Sequence, residues 1–197
     1  MASTGARRSG EHYKPTEDYG IIGDLETVAL VGKDASIDFM CFPRFDSPTI
    51  FAALLDHKRG GRFQLCPEIN NSAHRQLYLP DSNILLTRFL SEAGVAEISG
   101  GKHELVRRAK IVRGKIRFRM VCNPRFDYGR AGHRVHRKKN EVVFASDGPD
   151  KTALRLRSNV PLKVENGAAI KTVDAAALIM PLVKFIGPCV IQDGFRH

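Results

Sequence analysis

The sequence predicts a mainly β, antiparallel sandwich with one short helix. Three observations carry this. Short runs of alternating or continuous apolar residues recur at spacings near ten residues, turn clusters rich in Gly, Pro, Asn and Asp separate them, and long helical periodicity is absent. At 197 residues, 43% of them hydrophobic and 26% charged, the chain can build a sizeable core.

The first elements form a hairpin. Thr27–Val31 is apolar, Gly32-Lys-Asp-Ala35 turns, and Ser36–Phe42 returns with Ile37 and Phe39 on one face. Ser47-Pro48 then opens Thr49–Leu55, which reads as the helix: Ser is a good cap, Pro fits a first turn that needs no N–H, and Gly60-Gly61 stops it. Arg62–Cys66 and Arg75–Leu79 read as strands, the latter ending at Pro80-Asp-Ser-Asn83. Asn83–Leu90 and Val95–Ile98 form a second hairpin across Ser91–Gly94, with Gly94 expected to supply a positive φ. Leu105–Val112 and Ile116–Val121 read as two strands joined by Arg113-Gly114-Lys115. In the second, Ile116, Phe118 and Met120 face inward and Arg117 and Arg119 outward. Val135–Lys138, Glu141–Ala145 and Thr152–Arg157 complete the series. After the turn Val164–Gly167 no single period holds, so one strand or short helix is expected near Ala175–Met180 and little order beyond Gly187.

The organisation follows: residues 1–14 a flexible leader, 15–165 the sandwich, 166–197 an atypical, partly ordered tail. The N-terminus lacks the apolar run of a secretory signal, and Ala175–Val183, the longest charge-free apolar stretch of the tail, is far short of a membrane span. These features suggest a cytoplasmic protein.

Charge is unevenly placed. The net charge is +10, yet residues 102–139 alone hold 14 Lys and Arg against Glu104 and Asp127, so the remainder sums to −2. Such a block suits either a polyanion site or the solvent face of two strands. The alternation of Arg117 and Arg119 with apolar residues favours the solvent face, and no nucleic-acid-binding motif accompanies the charge.

Sites of chemistry are sparse. Cys41, Cys66, Cys122 and Cys189 include no CxxC, and Cys41 falls in an apolar strand, where a thiol is buried and inert. His133 and His136, three apart on a strand, point to opposite faces, so no shared metal is expected. No phosphate-binding glycine loop occurs, and no cofactor is implied. Asp38, Asp46 and Asp127 could supply a carboxylate pair, but each reads better as a turn or loop residue. One repeat is conspicuous: Pro43-Arg-Phe-Asp46 and Pro124-Arg-Phe-Asp127 each follow a strand and precede a turn. As strand exits, Pro ends the ladder, Phe packs down, and Arg and Asp pair or cap amides. Alternatively they are matched loops at one edge of the sandwich.

These same segments carry a family likeness. Pro15-Thr-Glu-Asp-Tyr-Gly-Ile-Ile-Gly-Asp24, Asp34–Pro48, Tyr78-Leu-Pro-Asp-Ser-Asn-Ile-Leu85, Val106-Arg-Arg and Asn123-Pro-Arg-Phe-Asp-Tyr-Gly129 resemble the N-terminal region of bacterial glycoside hydrolase family 15, which includes trehalase-type and glucoamylase-type enzymes. The resemblance covers roughly residues 15–165. It implies a β-super-sandwich that packs against an (α/α)6 barrel, where two Glu hydrolyse α-glucosidic bonds with inversion. No position of this sequence matches the segments bearing those Glu, so no catalytic residue carries over and no hydrolysis is expected of this chain alone. Two departures stand out: the loop after Val95–Ile98 is shortened to Ser99-Gly-Gly-Lys102, and the likeness fades near Gly167. A truncated gene product is one reading of the latter. The resemblance makes Arg44, Phe45, Asp46 and Asp127 candidates for the domain interface or active-site rim. The expected partner is the barrel, with α-glucoside contact and self-association through an uncovered apolar surface as further expectations. The alternatives are a stand-alone carbohydrate-binding module, weakened by the absence of Trp, and a basic polyanion-binding domain.

Overall fold

A computed structural model describes residues 13–101, 105–176 and 184–186. Alternation and turn chemistry give a mainly antiparallel β structure. Its strands are β1 (Tyr19–Gly23), β2 (Val28–Gly32), β3 (Ser36–Cys41), β4 (Thr49–Phe51), β5 (Arg62–Pro67), β6 (Ala73–Tyr78), β7 (Leu85–Ser91), β8 (Gly94–Gly101), β9 (Val106–Asn123), β10 (His133–Lys138), β11 (Glu141–Ser146), β12 (Ala153–Arg157), β13 (Lys163–Glu165), β14 (Ala168–Ala176) and β15 (Lys184–Ile186). A 3-10 turn at Thr16–Asp18 and one short helix, α1 (Phe126–Gly129), complete the described elements.

The large sheet runs β1-β2-β3-β5-β9-β8-β7-β6, with β4 on β3, β14 on β9 and β13 on β14. The second sheet is β10-β11-β12-β15. The large sheet curls until its ends nearly meet. The Tyr78 hydroxyl on β6 donates to the Ile21 carbonyl at 2.8 Å and accepts from the Ile21 N–H at 2.9 Å. Gln76 Nε2 donates to the carbonyls of Val31 and Gly32 at 3.1 and 3.0 Å. Side chains of β6 thus reach edge strand β1 and its neighbour β2, giving a nearly closed barrel.

β9 organises both halves. Residues 106–114 pair with β8, and residues 115–123 with β5 and β14. The sequence suggested two strands joined at Arg113-Gly114-Lys115, but one 18-residue strand runs through. The register shifts between Val95, paired with Arg113, and Ala96, paired with Ile111, which leaves Val112 as the extra residue; Gly114, registered with Gly94, takes φ 84°, and a Cβ there would meet the Ala93 carbonyl oxygen at 2.2 Å. The bulge at Val112 and the glycine beyond it carry the strand from one half of the sheet to the other without a hairpin turn. Gly94 also differs from expectation. Its φ is not positive; its role is close approach, since a Cβ would lie 2.4 Å from the Arg113 carbonyl oxygen.

The helix expected at Thr49–Leu55 is absent. Thr49–Phe51 is strand β4, registered as Met40 with Phe51 and Cys41 with Thr49, and turns follow. Thr49, Ile50 and Phe51 are all buried, and a short apolar run buried on both faces has no period to separate strand from helix. The one short helix lies instead at α1, and it is irregular, with Asp127 and Tyr128 in left-handed conformations at φ of 50° and 56°.

One core spans both sheets, from Ile22, Val31, Ile37 and Phe63 through Ile98, Ile111 and Phe118 to Phe144, Leu154 and Leu156. Ile116, Phe118 and Met120 face it and Arg117 and Arg119 face solvent, as alternation predicts. Arg107 also lies inside, 2% exposed, beside Ala109 and Ile111 on the inward face of β9. Its guanidinium covers the Phe63 ring at 5.4 Å and donates to the Ala35 carbonyl at 2.5 Å. Burial pulls its pKa down to about 10, so it stays charged at neutral pH.

β14 pairs with β9 from Ala169 with Cys122 to Ala176 with Lys115, so the first part of the expected tail is built into the large sheet. Residues 177–183 and 187–197, where a further element and the end of the tail were expected, lie outside the described residues, as do residues 1–12 of the expected leader.

Candidate functional site

The two Pro-Arg-Phe-Asp corners converge on β4. At the first, β3 ends at Cys41, the Phe42–Pro43 peptide is cis, and the chain turns through residues 44–47. The Ser47 N–H donates to the Arg44 carbonyl at 3.0 Å, and the Arg44 N–H donates to Ser47 Oγ at 3.2 Å. The Arg44 fork grips Asp46 through Nε to Oδ1 at 3.1 Å and Nη2 to Oδ2 at 2.9 Å. Phe45 between them is 65% exposed, and its N–H donates to the Glu26 carbonyl at 2.8 Å. That bond sets it beside the β1–β2 turn, whose Leu25 is wholly exposed at φ 73°.

The second corner leaves β9 at Asn123. The Arg125 N–H donates to the Ile50 carbonyl of β4 at 2.9 Å, and the Tyr128 N–H to Thr49 Oγ1 at 3.1 Å. Phe126 is fully buried. Asp127 accepts from Arg130 Nη2 at 2.6 Å, and the Arg130 guanidinium stands 5.6 Å from the ring centre of half-exposed Tyr128. Arg44, Phe45, Asp46 and Asp127 therefore share one end of the sheet with Leu25 and Tyr128, which sequence reasoning missed. Nothing in the sequence marked Leu25, since its exposure comes from the turn geometry. Both carboxylates are occupied by arginines, an arrangement suited to a contact surface rather than to proton transfer.

A second polar cluster lies within the large sheet. Asp38, expected in a turn or loop, is instead a β3 residue 3% exposed. Its Oδ2 is ion-paired with Lys14 Nζ and accepts from the Tyr19 hydroxyl at 3.0 Å. Lys14 also reaches Asp34 Oδ1 at 3.1 Å and Ser36 Oγ at 2.7 Å, and Arg62 Nε stands 3.9 Å from Asp38 Oδ1. Burial acts to raise the Asp34 pKa, but the Lys14 ammonium and hydrogen bonds from Ser36 outweigh it and hold the carboxyl below its ordinary range. Burial, then the charge and hydrogen bond of Asp38, push Tyr19 up, so its hydroxyl remains a neutral donor. Part of the signal was available: Ser36 and Asp38 sit at alternate positions, which a strand places on one face, while Asp34 belongs to the turn before it. The ammonium and carboxylates neutralise one another, so the cluster fastens Lys14 to the sheet.

His133 and His136 do not come together. His133 is half-buried between Phe126 and Phe144, with both ring centres at 5.8 Å, and its Nε2 lies 2.9 Å from the Gly167 carbonyl oxygen, while His136 is exposed. Among the described residues no group of three or more His, Cys, Asp or Glu is placed to hold a metal, and no helix is long and apolar enough to cross a membrane. Cys41 is buried, and burial followed by the charge of Asp46 raises its thiol pKa.

Comparison with known proteins connects the architecture to a family. Residues 6–184 match the family described as trehalase-like, N-terminal, so the likeness runs past Gly167, where the sequence reading let it fade. Trehalase from Mycolicibacterium smegmatis is 30% identical over 191 residues, an alignment covering 80% of this chain and 28% of that protein. Trehalase from Mycobacterium tuberculosis is 28% identical over 187 residues, covering 80% and 27%. Trehalase 1 from Sulfolobus acidocaldarius is 36% identical over 146 residues, covering 72% and 25%. The chain thus spans about a quarter of the length of these relatives. No solved structure matches it. With a family match over most of its length and a nearly closed antiparallel sheet to go with it, the chain belongs to the trehalase-like N-terminal family.

Proposed function

We propose that this chain is a non-catalytic β-sandwich whose role is to pack against the catalytic region of a trehalase- or glucoamylase-type hydrolase, with the end formed by Arg44, Phe45, Asp46 and Asp127 as its contact surface. The observation that carries the reading is the exposure of Leu25, Phe45 and Tyr128, at 100%, 65% and 47%, on the β1–β2 turn, the first corner bonded to it and the second corner bonded to β4. Large side chains left in water beside well-placed ion pairs suit an interface with an apolar centre and polar rim. The length of the relatives beyond the matched segment supplies room for a partner region in the same polypeptide. The reaction, on trehalose or another α-glucoside, would belong to that region; in this reading it is an (α/α)6 barrel with two Glu.

The purified chain is expected to release no glucose from trehalose or maltose, and measurable hydrolysis would overturn the proposal. Sedimentation supplies the second readout. With no catalytic region present, the chain is expected to self-associate through the uncovered end, and Leu25→Asp with Phe45→Asp is expected to shift it toward monomer. A sedimentation profile unchanged by both substitutions would remove this end as the contact surface.

A further inference from the structure

Half of the basic block, seven of its 14 Lys and Arg, lies on one strand, β9. That strand carries no acid over its 18 residues. Arg107 is buried in the barrel; Arg108, Lys110, Arg113, Lys115, Arg117 and Arg119 are exposed. Positions two apart on a strand repeat about every 6.7 Å on one face, so the cations fall in two short rows, Arg108 and Lys110 before the bulge and Arg113, Lys115, Arg117 and Arg119 after it. The extra residue, Val112, separates the two rows and keeps both on the outward face.

Neighbouring strands do little to neutralise them. Glu97, the cross-strand partner of Lys110, is held by Arg88 Nη2 at 2.6 Å. Asp174 and Glu68 both serve Arg117, at 2.6 and 4.0 Å. Arg108 is registered with Ser99, and Arg119 lies between Cys66 and Thr172. Among the described residues no acid pairs with Arg108, Lys110, Arg113, Lys115 or Arg119.

Charge and composition together define the occupant. Two rows of cations along one strand complement a linear chain of anions. Protein partners are usually anchored by buried aromatic and aliphatic side chains, and this face offers Val112 alone. Single-stranded nucleic acids are held by aromatic stacking as well as by charge, and neither the rows nor their registered partners Glu97, Ser99, Cys66, Thr172 and Asp174 include an aromatic. A ligand with charge and no rings fits what is present. We infer that the outward face of β9 binds a linear phosphate polyanion, of which inorganic polyphosphate is the simplest, through Arg108, Lys110, Arg113, Lys115 and Arg119. The inference is independent of the contact surface proposed above.

The test is titration of the full chain with long-chain inorganic polyphosphate across a series of salt concentrations, beside tripolyphosphate, an oligothymidylate and polyglutamate of matched charge. Long-chain polyphosphate is expected to bind tightest, with affinity falling linearly in log–log against salt because bound counterions are released. The triple variant Lys110→Gln, Lys115→Gln, Arg119→Gln is expected to lose roughly 30-fold or more in affinity and to show a shallower salt slope. A control triple of equal charge change, Lys58→Gln, Lys139→Gln, Lys163→Gln, is expected to stay within roughly 3-fold of the parent. Equal losses in both triples would reduce the effect to net charge and overturn the site. Tighter binding of oligothymidylate or polyglutamate, or no polyphosphate binding at low salt, would overturn the ligand class. All six positions are exposed, so melting curves superimposable on the parent's are expected.

Discussion

Residues 43–46 and 124–127 are the same four amino acids, Pro-Arg-Phe-Asp, leaving two strands of one sheet, and they behave in opposite ways. Phe126 is fully buried, in contact with His133, whereas Phe45 is 65% exposed. Asp46 turns back to Arg44 two residues earlier; Asp127 reaches forward to Arg130 from a left-handed backbone. The difference lies in the surroundings. The second corner is bonded to β4 at Ile50 and Thr49, and β10 follows to roof the phenyl ring. The first is bonded to the β1–β2 turn through one backbone N–H, and no described element covers its ring. Local sequence sets where a strand stops, and the tertiary partner decides whether the aromatic is core or surface.

The largest expected effect separates the two phenylalanines. Phe126→Ala should destabilise the chain by about 3–5 kcal/mol, because it removes a fully buried ring from between packed elements. Phe45→Ala should change stability by no more than about 0.5 kcal/mol. Urea midpoints for the two variants measure the contrast, and similar losses would mean that the first corner is also core.

Lys14 calibrates the corner pairs against a buried one. Lys14→Gln should cost about 3 kcal/mol, since it leaves Asp38, at 3% exposure, without its nearest cation. The pH dependence carries a sign. Asp34 ionises below its ordinary value of 3.8 in the folded chain, so the stability it adds is complete above that value and is lost as pH falls through the depressed one. Thermal melts between neutral pH and strong acid should show that loss in the parent and a smaller one in Lys14→Gln.

The strands were legible where side chains alternate or turn residues cluster, as for β2, β3, β5, β7, β11 and β12, whose cores the pattern anticipates. Two errors share one physical cause. Thr49–Phe51 and the unbroken run of β9 through Arg113–Lys115 are set by contacts made at a distance, with β3 in one case and with Gly94 and the Ala93 carbonyl in the other, and no local period encodes them. The candidate site was legible in part. The repeated motif pointed to both corners, but Leu25 and Tyr128 joined them only through hydrogen bonds from Phe45 to Glu26 and from Tyr128 to Thr49. Arg107 read as one more member of the basic block, because its burial depends on barrel closure.

A smaller effect probes the backbone of the second corner. Gly129 holds φ 77°, and a Cβ there would lie 3.1 Å from the Arg59 carbonyl oxygen. Gly129→Ala should cost about 1–2 kcal/mol through the left-handed conformation alone, whereas the first corner has no glycine to test in the same way.

The smallest expected effect is in the Arg44–Asp46 pair. Its geometry is bidentate, yet the two side chains are 67% and 55% exposed, so water and salt screen the attraction and rotamer entropy offsets much of it. A double-mutant cycle with Arg44→Ala and Asp46→Ala should give a coupling of about 0.5 kcal/mol or less, reduced further in high salt. If the first corner contacts a catalytic region, that coupling should rise when the region is present, because removing water from the pair strengthens each charge's hold on the other. Unchanged coupling in a chain carrying both regions would separate the two corners for good: one structural at Phe126, the other merely exposed at Phe45.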